Sequence, residues 1–253
     1  MQNKISIQIC TNDLREEVIT EMWNIYSPYY HYSAESFRAR IQKNTHYALY
    51  WAGAKLVGFT GLRIQKTKVE RKRFLTIYFG QTVVTDGVRG KGLINRTGLK
   101  IVSMFWRSFL SRQVVFWADA LTYRAYLVFA KNLVDCYPAA GQMLSKSMQC
   151  LRDFLGTTNY GERYCTSTGT VRKDSFLVSD PQMLIRPDKL RDPDIAFFAQ
   201  ANPSYEQGSG LLTMGPATLR NLWYMFSKYR AKQARRRTVP APMPAPASLV
   251  LSA

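Results

Sequence analysis

The segment from Val83 to Leu93 reads VVTDGVRGKGL, and it decides the fold because a strand-forming pair of valines runs into a turn with three glycines. From Leu93 onward the apolar side chains follow helical spacing, with Leu99, Val102 and Phe105 on one face. Backbone N–H groups at such a strand-to-helix turn point outward, and the helix dipole adds partial positive charge. The sequence therefore predicts a cradle for a pyrophosphate group.

Two familiar nucleotide-binding loops do not fit this turn. A P-loop requires a lysine followed by serine or threonine after its spaced glycines, but Leu93 follows Gly92. A dinucleotide-binding fingerprint requires a third glycine where Asn95 stands. An ordinary basic strand-to-helix turn is the plain alternative, since Arg89 and Lys91 also suit a solvent-exposed loop.

Hydrophobic periodicity on both sides of the turn alternates between strand and helix. Two helices are expected within residues 13–43, the first with Asn12 as its N-cap. The further strands and helices are predicted at Tyr47–Trp51, Leu56–Ile64, Phe74–Thr85, Leu93–Leu110, Val114–Ala118 and Leu121–Asn132. This alternation predicts an α/β (α+β) fold, in which helices flank a mixed central sheet.

The chain beyond Pro138 has a weaker pattern. The elements expected there are a helix at Met143–Leu155, strands at Tyr164–Val171 and Ser175–Val178, and a basic amphipathic helix at Thr218–Arg237. The predicted domains are residues 1–180 as the main domain, 181–237 as a loop-rich extension ending in the last helix, and 238–253 as a disordered Pro/Ala-rich tail.

The order of these elements and the turn together resemble the GNAT superfamily of acyl-CoA-dependent N-acyltransferases. That family places two helices after its first strand, then a three-strand meander, then a pyrophosphate loop of the form R/Q-x-x-G-x-G/A. Arg89 and Gly92 match the first and fourth positions of this loop, whereas Ile94 replaces the family's last small residue. The resemblance covers residues 5–135 and implies a GNAT-like fold.

The resemblance also implies that the cofactor is acetyl-CoA or another acyl-CoA and that the acceptor is an amine. In this family the loop N–H groups bind the pyrophosphate, and the strand before the loop, here Gln81–Thr85, hydrogen-bonds the pantetheine arm. The implied cofactor-binding residues are Val83, Val84, Arg89, Gly90, Lys91, Gly92 and Leu93. The predicted function is transfer of an acetyl or longer acyl group to an amine.

The catalytic positions depart from the family pattern. In the segment Leu121–Lys131, Phe129 stands where the family often carries a general-acid tyrosine, and the third strand has no carboxylate. Direct transfer from thioester to amine needs a base for the ammonium and an acid for the departing thiolate. The candidates are Asp119, Tyr126 and Gln81, with Glu35 or a water chain as other sources of a base. Asp119 has a second interpretation, as the N-cap of the helix at Leu121.

The charge predicts an anionic partner. The chain has 35 Lys and Arg against 17 Asp and Glu, a net charge of +18. Much of the surplus lies in the link Lys66–Arg73 and in the last helix, which predicts binding to a membrane or nucleic acid. The residues concerned are Lys66, Arg73, Arg230, Arg235, Arg236 and Arg237.

Two other functions therefore stay open beside N-acyl transfer. One is a catalytically silent GNAT-like binding module that uses the basic surfaces on RNA or anionic membrane. The other is an enzyme similar to N-acyl amino acid synthases, for which a wide apolar acyl tunnel is expected.

Cysteine and hydrophobic usage predict a reduced, cytoplasmic protein. The four cysteines have no CxxC spacing and the chain has two histidines, so no structural zinc site is expected and the thiols are expected to be free and buried. Acidic residues precede any apolar stretch at the N-terminus, which does not fit a signal peptide. No run of about 20 apolar residues predicts a transmembrane helix.

Overall fold

The structure, a computed structural model, describes residues 5–30, 33–173 and 184–238, with residues 232–238 as backbone only. Its strands are β1 (Ile5–Thr11), β2 (His46–Ala52), β3 (Lys55–Val69), β4 (Lys72–Val84), β5 (Gln113–Ala120), β6 (Tyr164–Cys165), β7 (Thr170–Arg172) and β8 (Ser209–Pro216). They form one sheet in the order β1-β2-β3-β4-β5-β8-β7-β6. Neighbouring strands are antiparallel except β4 and β5, which are parallel.

Helices cover both faces of this sheet. They are α1 (Glu16–Tyr26), α2 (Ala34–Ile41), α3 (Leu93–Met104), α4 (Tyr123–Ala130), α5 (Lys146–Tyr160), α6 (Pro193–Ala201) and α7 (Leu219–Thr238). Because side chains alternate along a strand, Val114 and Phe116 of β5 pack on the face of α3, α4 and α7, whereas Val115 and Trp117 pack under α5. Helices α1 and α2 cover the β2–β4 part of the α5 face. The predicted mixed sheet flanked by helices is confirmed.

The hairpin of β3 and β4 is longer than the sequence pattern predicts. The segment Lys66–Arg73, expected to be a link, continues both strands, and Val69 pairs with Lys72. Only Glu70 and Arg71 form the turn, with Glu70 at a φ of 53°. The alternating β-branched residues Thr67 and Val69 suit the extended backbone, so the basic charges lie along a two-stranded ribbon.

Other boundaries differ because tertiary pairing overrides local pattern. Periodicity did not predict β1, which the family resemblance requires. Asn12 is not the N-cap of α1, since Arg15 holds that position without a side-chain hydrogen bond. Helix α3 ends at Met104 and continues as a 3-10 helix at Trp106–Leu110. All four cysteines are free, but only Cys136 is buried, whereas Cys10 and Cys150 are half-buried and Cys165 is exposed.

The chain after residue 180 contributes to the central sheet. Strand β8 pairs with β5 from Val115 opposite Pro216 to Ala120 opposite Leu211, within a stretch that the prolines had predicted to be loop-rich. Helix α6 also forms there, where Asp192 caps its N-terminus. The predicted strand Ser175–Val178 and the tail from residue 239 lie outside the described residues.

The last helix forms as predicted, and it packs on the rest of the protein with the face of Asn221 and Met225. Asn221 is fully buried; its side chain accepts from the backbone N–H groups of Val134 and Asp135 and donates to the carbonyls of Asp135 and Pro216. Met225 is buried against the sheet, whereas Trp223 is exposed. Among the described residues, no helix combines the length and the apolar character that a membrane crossing requires.

Candidate functional site

Strands β4 and β5 pair over their first residues and then separate. Their parallel pairs run from Phe74 opposite Gln113 to Tyr78 opposite Trp117, whereas β4 continues to Val84. Beyond Tyr78 the β5-facing edge of β4 is therefore available to hydrogen-bond an extended ligand. The side chains of Val83 and Val84 pack into cores on opposite faces, so only their backbone groups can contact a cofactor.

A β-bulge lies in β4 at the start of this opening. Gly61 pairs with Gly80 and Phe59 with Val83, so two residues of β4 oppose one residue of β3. Gln81, in the bulge, has a φ of 46°. Its Oε1 accepts hydrogen bonds from the side chains of Asn44 and Tyr47, at 2.6 and 3.0 Å. Gln81, a predicted catalytic residue, thus holds the bulge that orients the β4 backbone.

The glycine-rich turn after β4 has an open outer face. Gly90 and Gly92 have φ values of 72° and 69°, and a Cβ at either would meet no atom within 4 Å. Glycine is required here for the left-handed backbone rather than for space. Gly92 is the N-cap of α3 and no side chain caps that helix, so its first-turn N–H groups are available to an anion. Arg89 is paired with Asp86 at 3.0 Å and lies over the ring of Tyr29.

The two positions that depart from the family pattern line one apolar pocket. Ile94 of α3 and Phe129 of α4 both line it, together with Phe79 of β4, Phe116 of β5 and Met225 of α7. The pocket lies on the α3 face, beside the opening between β4 and β5. In this one pocket, therefore, Ile94 replaces the family's small residue with a larger side chain, and Phe129 replaces the family's tyrosine with an apolar ring.

A buried polar cluster lies on the opposite face of the sheet, and Asp119 is at its centre. Asp119 follows Trp117, the last β5 residue paired with β4, by two positions and so lies on the same face. Its carboxylate accepts hydrogen bonds from the hydroxyl groups of Tyr78, at 2.7 Å, and of Tyr160. It also forms an ion pair with Lys173, and the two side chains are only 6% and 11% exposed.

The pKa shifts in this cluster follow from burial and pairing. Burial acts to raise the pKa of Asp119, but the Lys173 ammonium and the three donated hydrogen bonds hold it below its usual range. Burial lowers the pKa of Lys173, although the Asp119 charge opposes this. Burial and the Asp119 charge raise the pKa of Tyr78 and of Tyr160. Asp119 is thus a carboxylate at neutral pH, and both tyrosines are protonated.

Neighbouring residues hold the cluster in place. The Arg63 guanidinium lies 4.2 Å from the centre of the Tyr78 ring, and it donates to the side chain of Asn159 on α5. A Cβ at Gly80 would lie 2.2 Å from the Tyr78 ring. Glycine at this position therefore makes room for the ring, which directs the Tyr78 hydroxyl to Asp119.

The interpretation of Asp119 as a helix N-cap is wrong. The N-cap of α4 is Thr122, whose side chain accepts a hydrogen bond from the backbone N–H of Ala125 at 3.2 Å. Tyr126, the tyrosine predicted to be catalytic, is fully buried on α4. Its hydroxyl donates to the carbonyl of Pro138 at 3.1 Å, and its ring packs near Phe198 of α6.

The sequence did not predict the partners of Asp119. Tyr78 lies within the predicted strand Phe74–Thr85, and nothing in the local pattern pairs it with Asp119. Tyr160 and Lys173 lie in a part of the chain that the family resemblance does not cover. The strands and helices after Pro138 bring these two side chains to the carboxyl end of β5. For Lys173, the only local signal was its position just after a short run of strand-forming residues.

No protein-family model and no curated protein matches the chain. Among solved structures, the chain is similar to an aminoglycoside acetyltransferase from an uncultured soil metagenomic sample. The two are 12% identical, the match covers 56% of this chain and 95% of that chain, and the TM-score is 0.38. It is also similar to a variant of the AtaT toxin bound to the C-terminus of the antitoxin AtaR and acetyl-CoA, with 14% identity, coverage of 51% and 82%, and a TM-score of 0.34. An IAA acetyltransferase from Bacillus cereus has 11% identity, coverage of 53% and 80%, and a TM-score of 0.33.

The fold follows from the topology of the chain itself. Two helices lie between β1 and β2, β2 to β4 form an antiparallel meander, and the glycine-rich turn leads from β4 into α3. The parallel strand β5 then separates from β4 beyond Tyr78. This order of elements is the one that the family resemblance predicts, and the chain has a GNAT-like fold.

Proposed function

We propose that this protein is an acyl-CoA-dependent N-acyltransferase. The observation that carries the proposal is the opening between β4 and β5, which leads to an uncapped helix N-terminus beneath Gly90 and Gly92. An extended pantetheine arm suits the free strand edge, and a pyrophosphate suits the first-turn N–H groups of α3, which no side chain caps. Acetyl-CoA or a longer acyl-CoA supplies the acyl group to an amine acceptor.

The chemistry assigns different roles to the members of the buried cluster. The acceptor nitrogen attacks the thioester carbonyl carbon, the C–S bond breaks, and the CoA thiolate takes up a proton. Asp119 is a poor base because its pKa is lowered and its charge is already paired with Lys173. The acceptor ammonium therefore loses one proton to solvent before its nitrogen attacks, and the nitrogen loses its second proton as the thiolate is protonated. Lys173 is a better donor to the thiolate than Tyr78 or Tyr160, because burial lowers its pKa and raises theirs.

A catalytically silent CoA-binding module is the second candidate. Two observations favour it: Phe129 has no proton to donate in the apolar pocket, and the Tyr126 hydroxyl is engaged by Pro138. Binding and catalysis are therefore tested separately.

Thermal unfolding with CoA and with acetyl-CoA tests the cofactor. Ligand at 100 times its Kd stabilises the folded chain by about 2.7 kcal/mol, which raises the Tm of a chain of this size by about 5–11 °C. Gly90→Glu adds a carboxylate to the turn and is expected to abolish the shift. Gly90→Ala is the matched control, because it must adopt the same left-handed φ of 72° without adding a charge, and it is expected to keep the shift.

Release of the CoA thiol in the presence of a panel of amines tests catalysis. Thiol release that Lys173→Met lowers at least tenfold, with CoA binding unchanged, supports N-acyl transfer. Binding without release from any amine supports the silent module instead. A Tm that does not respond to CoA or to any acyl-CoA contradicts both.

A further inference from the structure

Helix α7 carries three large apolar side chains on its outer face. Leu219, Trp223 and Phe226 are 87%, 72% and 41% exposed. Their spacing of four and three residues places them side by side along one face of the helix. The opposite face is the one that Asn221 and Met225 anchor to the rest of the protein. These three side chains form the apolar stripe of α7, and docking of the helix does not bury it.

Positive charges lie on the same helix as this apolar stripe. Arg230 is in line with the stripe, and its guanidinium lies 5.9 Å from the centre of the Phe226 ring. Arg220 and Lys228 are also exposed on α7, although Arg220 pairs with Asp135 at 3.3 Å. The sequence adds four more cations to this helix. Residues 207–253 contain seven Lys or Arg and no Asp or Glu, a charge of +7. The stripe is therefore an apolar face within a strongly cationic segment.

This combination distinguishes between possible partners. A second copy of α7 would bring two segments of charge +7 together, which is unfavourable. Nucleic acid would pair with the cations through its phosphates and would stack bases on Trp223 and Phe226, but it would leave the aliphatic Leu219 exposed. An anionic bilayer surface satisfies both features, because headgroups attract the cations while the apolar side chains enter the acyl boundary. Tryptophan is also enriched at this interface.

We propose that α7 attaches this protein to the surface of anionic membranes through its apolar stripe and the cations beside it. The helix lies on the bilayer and remains docked to the sheet by its inner face. The attachment is independent of the acyl-CoA site and of whether the protein is catalytic.

Co-sedimentation of the full chain with vesicles tests this attachment. The probes are vesicles of phosphatidylcholine alone and of phosphatidylcholine with one-third phosphatidylglycerol. Binding is expected to the anionic vesicles and to weaken as salt rises. Trp223→Ser with Phe226→Ser is expected to weaken it about a hundredfold, since each loses the burial of a large apolar side chain. Lys228→Gln with Arg230→Gln is expected to weaken it about tenfold or more.

The matched control is Phe154→Ser. Phe154 is 37% exposed, close to the value for Phe226, but it lies on α5 at the opposite face of the sheet. Its substitution is expected to leave vesicle binding unchanged, and circular dichroism of all variants checks that they are folded.

Three results would overturn the proposal. The first is binding to neutral and anionic vesicles alike, or to neither. The second is binding to a polyuridylate RNA that depends on charge alone. In that case Lys228→Gln with Arg230→Gln weakens RNA binding, whereas Trp223→Ser with Phe226→Ser changes neither RNA binding nor vesicle binding. The third is a dimer in analytical ultracentrifugation that Trp223→Ser converts to monomer, since the stripe would then serve a second copy of the chain.

Discussion

Removing the charge of Asp119 is expected to destabilise the fold strongly. In Asp119→Ala, the buried Lys173 ammonium and the hydroxyl groups of Tyr78 and Tyr160 lose their common acceptor. Breaking a buried ion pair by removing one partner costs about 3–5 kcal/mol, because an uncompensated charge is left inside the protein. For a chain of this size each kcal/mol lowers the Tm by about 2–4 °C, so a fall of about 6–20 °C is expected.

A double-mutant cycle measured by urea unfolding separates this pair from a general loss of packing. Asp119→Ala combined with Lys173→Met is expected to be less destabilised than the sum of the single variants by about 2 kcal/mol. The matched control is Lys131→Met. Lys131 also pairs with two aspartates, Asp192 at 2.9 Å and Asp194 at 2.6 Å, but near the surface, so its loss is expected to cost about 1 kcal/mol or less.

The pH dependence of the stability tests the same ion pair through the titration of Asp119. Because the pKa of Asp119 is lowered in the folded protein, its contribution to stability is present above the unfolded-state pKa and is lost as the pH falls through the folded-state value. Asp119→Asn is expected to remove this part of the acid-induced loss of stability. If Asp119→Ala costs no more than Lys131→Met and the acid response of Asp119→Asn equals that of the unaltered protein, the cluster is not the buried ion pair described above.

Two further predictions concern stability. Asn221→Ala removes a side chain that makes four hydrogen bonds to backbone groups. It is expected to lower the free energy of unfolding in urea by about 2–4 kcal/mol. An unaltered unfolding midpoint would contradict the anchoring of α7 by Asn221. Gly80→Ala would set a Cβ 2.2 Å from the Tyr78 ring and is expected to cost about 1–3 kcal/mol, against about 0.5 kcal/mol or less for Gly87→Ala, measured as the difference in Tm.

The glycine-rich turn shows how much of the site could be predicted locally. Gly90 and Gly92 adopt positive φ values, and the sequence signal for them is direct because glycine tolerates that backbone conformation at little cost. Strands β2, β3 and β4 were also predicted, since their β-branched and aromatic residues favour an extended backbone. The separation of β4 from β5 has no such signal, because it depends on where two distant segments stop pairing.

The roles of the tyrosines could not be predicted from spacing alone. Tyr126 lies near Phe129 in the sequence, yet its hydroxyl donates to the carbonyl of Pro138. Tyr160 is 41 residues from Asp119 in the sequence, yet its hydroxyl donates to the Asp119 carboxylate. Which hydroxyl reaches a carboxylate depends on helix docking, and helix docking depends on contacts that are distant in sequence.

The structure relates the two departures from the family pattern, Ile94 and Phe129, to each other. In the sequence they are 35 residues apart and look like two independent exceptions to the family pattern. In the structure they line the same pocket between α3 and α4. A pocket that has exchanged a small residue and a tyrosine for apolar bulk cannot use side-chain proton transfer there, which is why the proposed chemistry lies at Asp119 and Lys173 instead.

The sequence alone determined the α/β architecture, the glycine-rich turn and the cationic last helix, because periodicity, glycine and charge are properties of neighbouring residues. Tertiary structure alone decided that β8 joins β5, that α7 exposes Trp223 and Phe226, and that Asp119 is buried with Lys173. The physical reason is that burial, strand partners and pKa shifts arise from contacts between residues far apart in the chain, which no local pattern specifies.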